Sequence, residues 1–474
     1  MRIVIVGAGL VGTQLAKHLI QEKHDVSLIE SNEERARHAS NRLDCMVLHD
    51  EGNSLHSLEE AGISKADALV CVTESDEVNM IICGLAASRY PKLVKIARVR
   101  NDDYVRLNRS GERLLGIDHF VHPDVEASRS VLNAIEHGAV GDILVFPNTP
   151  YELGSTDIAE KSPLDGLLLK DFHSLVKEES LVTLVERKGE SLLPTGSTTL
   201  ARGDRIHILA KEKELDHIFQ LAGRSEKPLR KIGIVGGGRV GTLIAEGLLD
   251  QGQDREEEPQ KKNLLSSFFK SLIPRSSRRI IIIEENYTIC KELAARFPEA
   301  LILNEDISDE SFVTEERIGD LDLLVTTTAD QELNMIAAIY LKSRGVYRTA
   351  AMVTGSGYAA IARQLGVDVV IPMKSVVVDS ILSHLMGGGV KGVHRIGDGS
   401  VDIIEIEIGQ DAPAVDTVLS SFKLSAGGLV MLVNREGVSF IPRGNYVFKG
   451  GDRIILIAKN GNEMEIGRFF GTPL

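Results

Sequence analysis

Tryptophan is absent from the 474 residues, aromatic side chains make up 4% of them, and cysteine occurs four times. The thiols Cys45, Cys71, Cys83 and Cys290 show no CxxC spacing and fall in apolar runs such as "DALVCVT". That usage predicts buried thiols in a reducing compartment, with no disulfide framework and no metal site. No apolar run approaches the ~18–20 residues that a bilayer crossing needs, so any service to a membrane process is expected from the aqueous side. Positive charge is in the minority: 54 Lys and Arg face 68 Asp and Glu, for a net charge of -14 and a pI near 5.5. Neutralising nucleic-acid phosphates needs a dominant basic face, and its lack excludes nucleic acid as the main partner. The chain runs from Met1 straight into "RIVIVGAG", without a charged-then-apolar leader, which predicts a cytoplasmic location.

The length suits about three to four compact units, and 43% hydrophobic content is enough to give each a core. Self-comparison shows a long duplication. "KADALVCVTESDEVNM" (65–80) finds its counterpart in "DLDLLVTTTADQELNM" (320–335), at an offset of 255. "LVTLVERKGESLLPTGSTTLARGDRIHILA" (181–210) matches "LVMLVNREGVSFIPRGNYVFKGGDRIILIA" (429–458), with 14 of 30 positions identical. Each half therefore reads as an N-domain followed by a C-domain, at 1–137, 138–224, 229–387 and 388–474. The glycine loops lie only 229 positions apart, which places an insertion of about 25 residues within 251–278. In the first N-domain, Val/Ile-rich runs alternate with helical stretches, as a parallel sheet covered on both faces requires. The expected fold class is α/β: two Rossmann-like, doubly wound domains, each followed by a small α+β C-domain.

In "IVIVGAGLVG" a Gly-x-Gly-x-x-Gly loop follows a strand and opens a helix, the context that a dinucleotide-binding loop needs. Gly7 permits the tight turn, Gly9 lets backbone amides approach a pyrophosphate, and Gly12 lets helix and sheet pack closely. Leu10 and Val11 complete the loop, whose helix N-terminus favours anions. Glu30, closing the second strand, suits ribose hydroxyls and disfavours a 2′-phosphate. Asp50 after the third strand and Thr73 after the fourth are further candidates. So are Arg98 and Arg100 on the fifth, whose guanidinium groups suit phosphates.

The order glycine-loop domain, "TESDEVN", "KIARVR", crossover helix and small "PTG…GD" domain, all repeated, resembles the tandem RCK (regulator of potassium conductance) family. Its members are cytosolic subunits of Trk-type potassium-uptake systems. The resemblance covers nearly the whole chain. It implies binding of NAD(H) or ATP/ADP by the N-domains, assembly into a homotetrameric ring, and control of a membrane-embedded, TrkH-like potassium channel subunit from the inner face of the membrane. It implies no enzymatic activity.

The second loop keeps Gly236, Gly238 and Gly241, with Val240 beside the last, and Glu284, Glu305 and Thr328 take the places of Glu30, Asp50 and Thr73. Met352 and Thr354 replace the two arginines, while Arg239 stands where the first loop has Leu10. An arginine at that loop position reaches nucleotide phosphates in related single RCK proteins; the alternative is a surface arginine making an intersubunit salt bridge. These differences predict two non-equivalent sites. Within the insertion, 261–279 reads as a short amphipathic helix with basic flanks, suited either to an anionic membrane or channel surface or to packing within the protein. The competing functional class is an NAD-dependent oxidoreductase. It would need an acid or base placed beside the nicotinamide, and no motif ties His119, His122 or His137 to such a pocket.

Overall fold

The computed structural model describes residues 1–21, 23–101, 103–104, 113–136, 144–146, 149–223, 229–249, 278–385, 390–396, 400–425, 427–459 and 462–471. The inserted segment, with 261–277 of its amphipathic stretch, lies outside them. The chain forms two compact units: Met1–His122 with Asp142–Ser225 and Val377–Leu474, and Pro123–Gly141 with Glu226–Val376.

The first unit opens with β1 (Arg2–Val6), α1 (Leu10–Gln21), β2 (Asp25–Glu30), α2 (Glu33–Ser40), β3 (Met46–His49), α3 (Leu55–Glu60), β4 (Ala68–Cys71), α4 (Asp76–Arg89), β5 (Val94–Arg98) and β6 (His119–Val121). The strands pair in parallel in the order β3-β2-β1-β4-β5-β6. Ile3, Val4 and Ile5 are wholly buried, so successive residues of β1 face apolar layers on both sides. Asn32, Ser54 and Ser75 cap α2, α3 and α4 by accepting backbone N–H bonds, which starts each helix at the sheet's carboxyl edge.

After α5 (Pro123–Glu136) come β7 (Leu144–Val145), β8 (Tyr151–Asp157), β9 (Ser180–Arg187), β10 (Glu190–Leu192), β11 (Arg205–Lys211) and α6 (Glu212–Leu221). These strands make an antiparallel sheet in the order β10-β9-β11-β8-β7. In the second unit, β12 (Lys231–Val235), α7 (Arg239–Leu249), β13 (Arg279–Ile283), α8 (Tyr287–Arg296), β14 (Leu301–Leu303), α9 (Glu310–Glu315), β15 (Leu323–Thr326), α10 (Gln331–Ser343), β16 (Arg348–Val353), α11 (Ser356–Gln364) and β17 (Val369–Pro372) repeat the first domain. The sheet order β14-β13-β12-β15-β16-β17 is the same. Following α12 (Met373–Leu385), β18 (Val390–Ile396), β19 (Val401–Glu407), β20 (Gly428–Arg435), β21 (Val438–Phe440), β22 (Arg453–Lys459) and α13 (Glu463–Phe470) form the other C-domain.

The two C-domain sheets pack on each other through a core that includes Tyr151, Leu184, Leu209, Ile403, Met431 and Ile457. The repeated "GDRI" explains itself structurally. Arg187 donates twice to the buried carboxylate of Asp204, at 2.7 and 2.6 Å. Arg435 does the same to Asp452, at 2.7 Å for both bonds.

The helices that leave the N-domains are exchanged. α5 follows β6 of the first sheet, yet Ala127, Val131 and Ile135 are buried with Ile232, Ile234 and Ile244 of the second N-domain. α12 follows β17, and its Val377, Val378, Ile381, Leu382 and Leu385 share a core with Ile3, Leu15 and Leu19 of the first.

At the end of α12, His384 stacks on His119 of β6, with ring centroids 4.2 Å apart. Burial, then the neighbouring His119, pushes the His384 imidazole down to about 4. Burial also lowers His119; Asp118 opposes that shift, and Arg113, paired with Asp118 at 2.7 Å, adds to it. A base whose folded pKa lies below its unfolded value of about 6.5 takes up protons on unfolding, so its stabilising contribution is complete above that value and is lost as pH falls toward 4. The urea midpoint of the protein is therefore expected to drop between pH 7 and pH 5. His384→Gln should flatten that slope, and an unchanged slope would show that the stack does not set it.

Candidate functional site

The first glycine loop is shaped by two close approaches. Gly7 has φ of +107°, and a Cβ on Gly12 would lie 1.9 Å from the Gly7 carbonyl oxygen, so neither position accepts a side chain without displacement. Gly9 is different: a Cβ there would meet nothing within 4 Å, and its residue lines an open cleft. The cleft, about 340 Å³ in volume, is also lined by Gly7, Glu30, Asn32, Arg35, Thr73 and Glu74. It opens at the carboxyl edge of the sheet beside β1, where the strand order reverses, the ligand position of doubly wound folds. Leu10 is 65% exposed at the start of α1, and Val11 packs against the core.

Glu30 does more than face the cleft. One carboxylate oxygen accepts the Ala8 amide at 2.6 Å and the other accepts Asn32 at 3.0 Å. Each oxygen keeps lone-pair capacity for a ribose hydroxyl. The second site reproduces this: Glu284 accepts Gly237 at 2.7 Å and Asn286 at 2.8 Å. There Gly236 has φ of +97°, a Cβ on Gly241 would stand 2.0 Å from the Gly236 oxygen, and Gly238 is as open as Gly9.

Thr73 is held by an asparagine that its motif places six residues on. Asn79 Oδ1 accepts the Thr73 amide at 2.9 Å and the hydroxyl at 2.7 Å, while its Nδ2 donates to the carbonyls of Thr73 (3.2 Å) and Arg98 (2.9 Å). Asn334 repeats all four bonds with Thr328 and Met352. The asparagines are 0% and 1% exposed, and each ties the ends of two adjacent strands together. The repeated "SDEVN" and "ADQELN" carried that signal.

Arg98 and Arg100 are engaged with protein in this state. Arg98 Nη1 donates to the Thr73 carbonyl at 3.3 Å. Arg100 donates to the Glu74 carbonyl, and its backbone amide donates to Asp76 at 2.7 Å. Asp50 accepts Ser57 Oγ at 2.6 Å and the Glu51 amide at 2.8 Å, bonds that hold its carboxyl below the usual range; Glu51 and Gly52, its neighbours, line the cleft. Glu305 is exposed, and its amide donates to the Glu284 carbonyl at 3.2 Å. Arg35, which motif reading did not single out, pairs with Glu74 at 2.9 Å, and both residues line the cleft. The duplicated positions are Ile289 and Ala329, so the second site lacks this pair. Val240 is buried, and Arg239 opens α7 with its Nε 3.6 Å from Asp124 Oδ2.

The TrkA-N domain family matches residues 3–123 and 266–372, and the TrkA-C domain family matches 156–223 and 403–471. The chain belongs to the TrkA family. Trk system potassium uptake protein TrkA of Azorhizobium caulinodans is 27% identical over all of this chain and 99% of its own length. The protein of that name from Halomonas elongata gives the same figures. Among solved structures, the GsuK RCK domain superposes with a TM-score of 0.55 at 16% identity, covering 99% of this chain and 95% of that one. The GsuK channel bound to NAD gives 0.56 at 16%, covering 99% and 79%. At that identity the likeness concerns the fold, and it agrees with two Rossmann-like N-domains and two C-domains in one TrkA-family chain. The second TrkA-N match begins at residue 266, beyond Gly236–Gly241.

Asn79→Ala would strip four hydrogen bonds from a buried network and leave the Thr73 amide without its acceptor. A loss of about 1–3 kcal/mol of stability is expected in urea melts, with Asn334→Ala costing a similar amount. Losses under about 0.3 kcal/mol would show that the strand ends hold without the asparagine.

Proposed function

We propose that this chain is the nucleotide-responsive regulatory subunit of a potassium-uptake system. Its N-domains take NAD(H) or ATP/ADP in the clefts at the two glycine loops. Four copies assemble as a ring at the inner face of the membrane, and the ring transmits ligand state to a membrane-embedded, TrkH-like channel subunit. The observation that carries this reading is the duplicated constellation of open glycine, loop-clamping glutamate and asparagine-held threonine, in a chain whose relatives named as potassium uptake proteins match it end to end. The chemistry of both loops suits an adenosine nucleotide: the loop amides and helix N-terminus suit phosphate, and Glu30 and Glu284 suit a ribose. No helix among the described residues is long and apolar enough to cross a membrane, which fits a subunit that works through a partner.

An oxidoreductase would need a proton donor or acceptor beside the nicotinamide. The cleft lining contains no histidine, and His119 is taken up by its stack with His384. Regulation requires only that a nucleotide bind one conformation better than another.

Calorimetry with NAD⁺, NADH, ATP and ADP tests the reading. Two nucleotides per chain with distinct preferences are expected, and no NADH consumption. Because Gly9 and Gly238 have room for a side chain, Gly9→Asp and Gly238→Asp should each fold and each remove one site by setting a carboxylate against the phosphates. Loss of all binding in Gly9→Asp alone would mark the second loop as a relic.

A further inference from the structure

Two cysteines meet inside the first N-domain. Cys71 closes β4, in register with Val6 of β1 and Ala97 of β5, and Cys83 lies in the middle of α4. Their Sγ atoms are 3.6 Å apart, and both are wholly buried free thiols. We infer that Cys71 and Cys83 are an oxidisable pair: a peroxide converts them to a disulfide that clamps α4 to β4 and weakens nucleotide binding in the first cleft. The effect on binding rests on the nucleotide reading of that cleft; the formation of the disulfide does not.

Two observations carry it. First, the fold does not require thiols at these positions. The offset of 255 that aligns the two halves sets Thr326 at the position of Cys71 and Ala338 at that of Cys83, both wholly buried. In the second domain Thr326 ties strand to helix by donating its hydroxyl to the Asn334 carbonyl at 2.9 Å. The same seam is thus held by a hydroxyl that peroxide leaves intact in one domain and lined by two thiols in the other.

Second, the pair sits directly behind the cleft. Val72 and Thr73, which follow Cys71, line it, and so do Val78 and Ile82 of the helix that carries Cys83. Asn79, one turn before Cys83, holds the Thr73 amide and hydroxyl. A disulfide sets its sulfurs about 2.05 Å apart, so the two must approach by about 1.5 Å and α4 must shift against β4. In a close-packed seam that shift passes to Asn79 and to both walls of the cleft.

While α4 is seated the thiols are protected. Burial, and then the contact with Cys83, pushes the Cys71 thiol well up, and the reactive thiolate forms when the seam opens locally. A peroxide entering at that moment meets both sulfurs together. One thiolate attacks a peroxide oxygen and the O–O bond breaks, leaving a sulfenic acid on that sulfur. The second sulfur then displaces the sulfenic hydroxyl and the S–S bond forms. With hydrogen peroxide, two thiols and one peroxide give one disulfide and two waters; the thiol protons leave in the waters, and two electrons pass from sulfur to oxygen. The linkage is reciprocal: a disulfide that weakens nucleotide binding is itself disfavoured by bound nucleotide.

The test uses the full chain with Gly238→Asp closing the second site, treated with hydrogen peroxide under native conditions and then alkylated. Peptide mass mapping is expected to show a cross-link between Cys71 and Cys83, reversed by dithiothreitol and slowed by saturating NAD⁺. Calorimetry should show NAD⁺ binding weakened about fivefold or more in the oxidised chain and restored on reduction. Cys83→Ala and Cys71→Thr each install the residue that the second domain carries. Both variants should bind NAD⁺ as the parent chain does and lose the response to peroxide, which separates the pair from oxidation at methionines such as Met80. Absence of the cross-link in the folded chain, sulfinic acid at either cysteine in its place, or a cross-link that leaves NAD⁺ affinity within about twofold would overturn the inference. A reduced chain that binds no NAD⁺ would overturn the reading of the cleft and the effect assigned to the disulfide. The cross-link assay needs no nucleotide, so it supports or overturns the thiol pair by itself.

Discussion

The approach of Gly12 to the Gly7 carbonyl oxygen is the constraint on which the first cleft depends. At 1.9 Å from that oxygen, a methyl group on Gly12 would force α1 off β1, and the turn at Gly7, with φ of +107°, would open with it. Once helix and strand are that close, the Ala8 amide falls within 2.6 Å of Glu30, and β2 is tied to the loop rather than merely paired with β1. The cleft is then bounded on three sides by elements that cannot move independently. Preorganisation of this kind matters for an anion site, because amides that already point at the ligand need no reordering when it arrives.

The doubly wound fold was legible in the sequence because its signals are local. A Val/Ile run, a glycine loop and a helix follow one another within twenty residues, and the acid at the end of β2 sits at a fixed distance from them. The repeat made the second domain legible as well, even across the insertion. What escaped motif reading depends on contacts distant in the chain. Arg35 and Glu74 meet only because α2 and the end of β4 border the same cleft, and nothing in "EERAR" announces a partner 39 residues on. The exchange of the crossover helices was equally hidden, since the apolar periodicity of α5 says that one face is buried but not against which sheet. Asn79 lies between these cases: its spacing from Thr73 repeats in Asn334, yet its role as a clip between two strand ends appears only when β4 and β5 are seen side by side.

The two glycine-loop sites share a frame and differ in charge. Around the first, Arg35, Arg98 and Arg100 are all present, and each is engaged by a carboxylate or carbonyl of its own domain. In the second, the corresponding positions are Ile289, Met352 and Thr354, and the one exchange in the other direction is Leu10 for Arg239. Cations at the mouth of a cleft and a cation on the phosphate loop act on different parts of a ligand. In the first arrangement Arg35 lines the cleft beside Asn32 and Glu74, and in the second Arg239 stands on the glycine loop itself. A ligand that exploits one arrangement gains little from the other, which is a physical basis for divergence in preference even though glycines, glutamate and threonine are the same.

Duplication within one chain is what makes that divergence accessible. When a ring is built from identical single-domain subunits, every substitution at a loop or crossover helix appears at every site, so an acid such as Asp124 would face all the loops or none. Joining two copies in one polypeptide releases the constraint. The first crossover helix carries Asp124 and the second Lys374 at the same position, opposite charges that a single repeated domain could not hold together. Because α5 packs on the core of the second N-domain, Asp124 at its start lies beside Arg239 of that domain's loop, while the sheet that α5 follows keeps its own sequence. Two loops of differing charge then stand in one chain, each free to diverge from the other. Couplings of about 1–3 kcal/mol suffice for a severalfold to hundredfold response. A part-exposed ion pair such as Asp124 with Arg239 is smaller than that, about 1 kcal/mol at most.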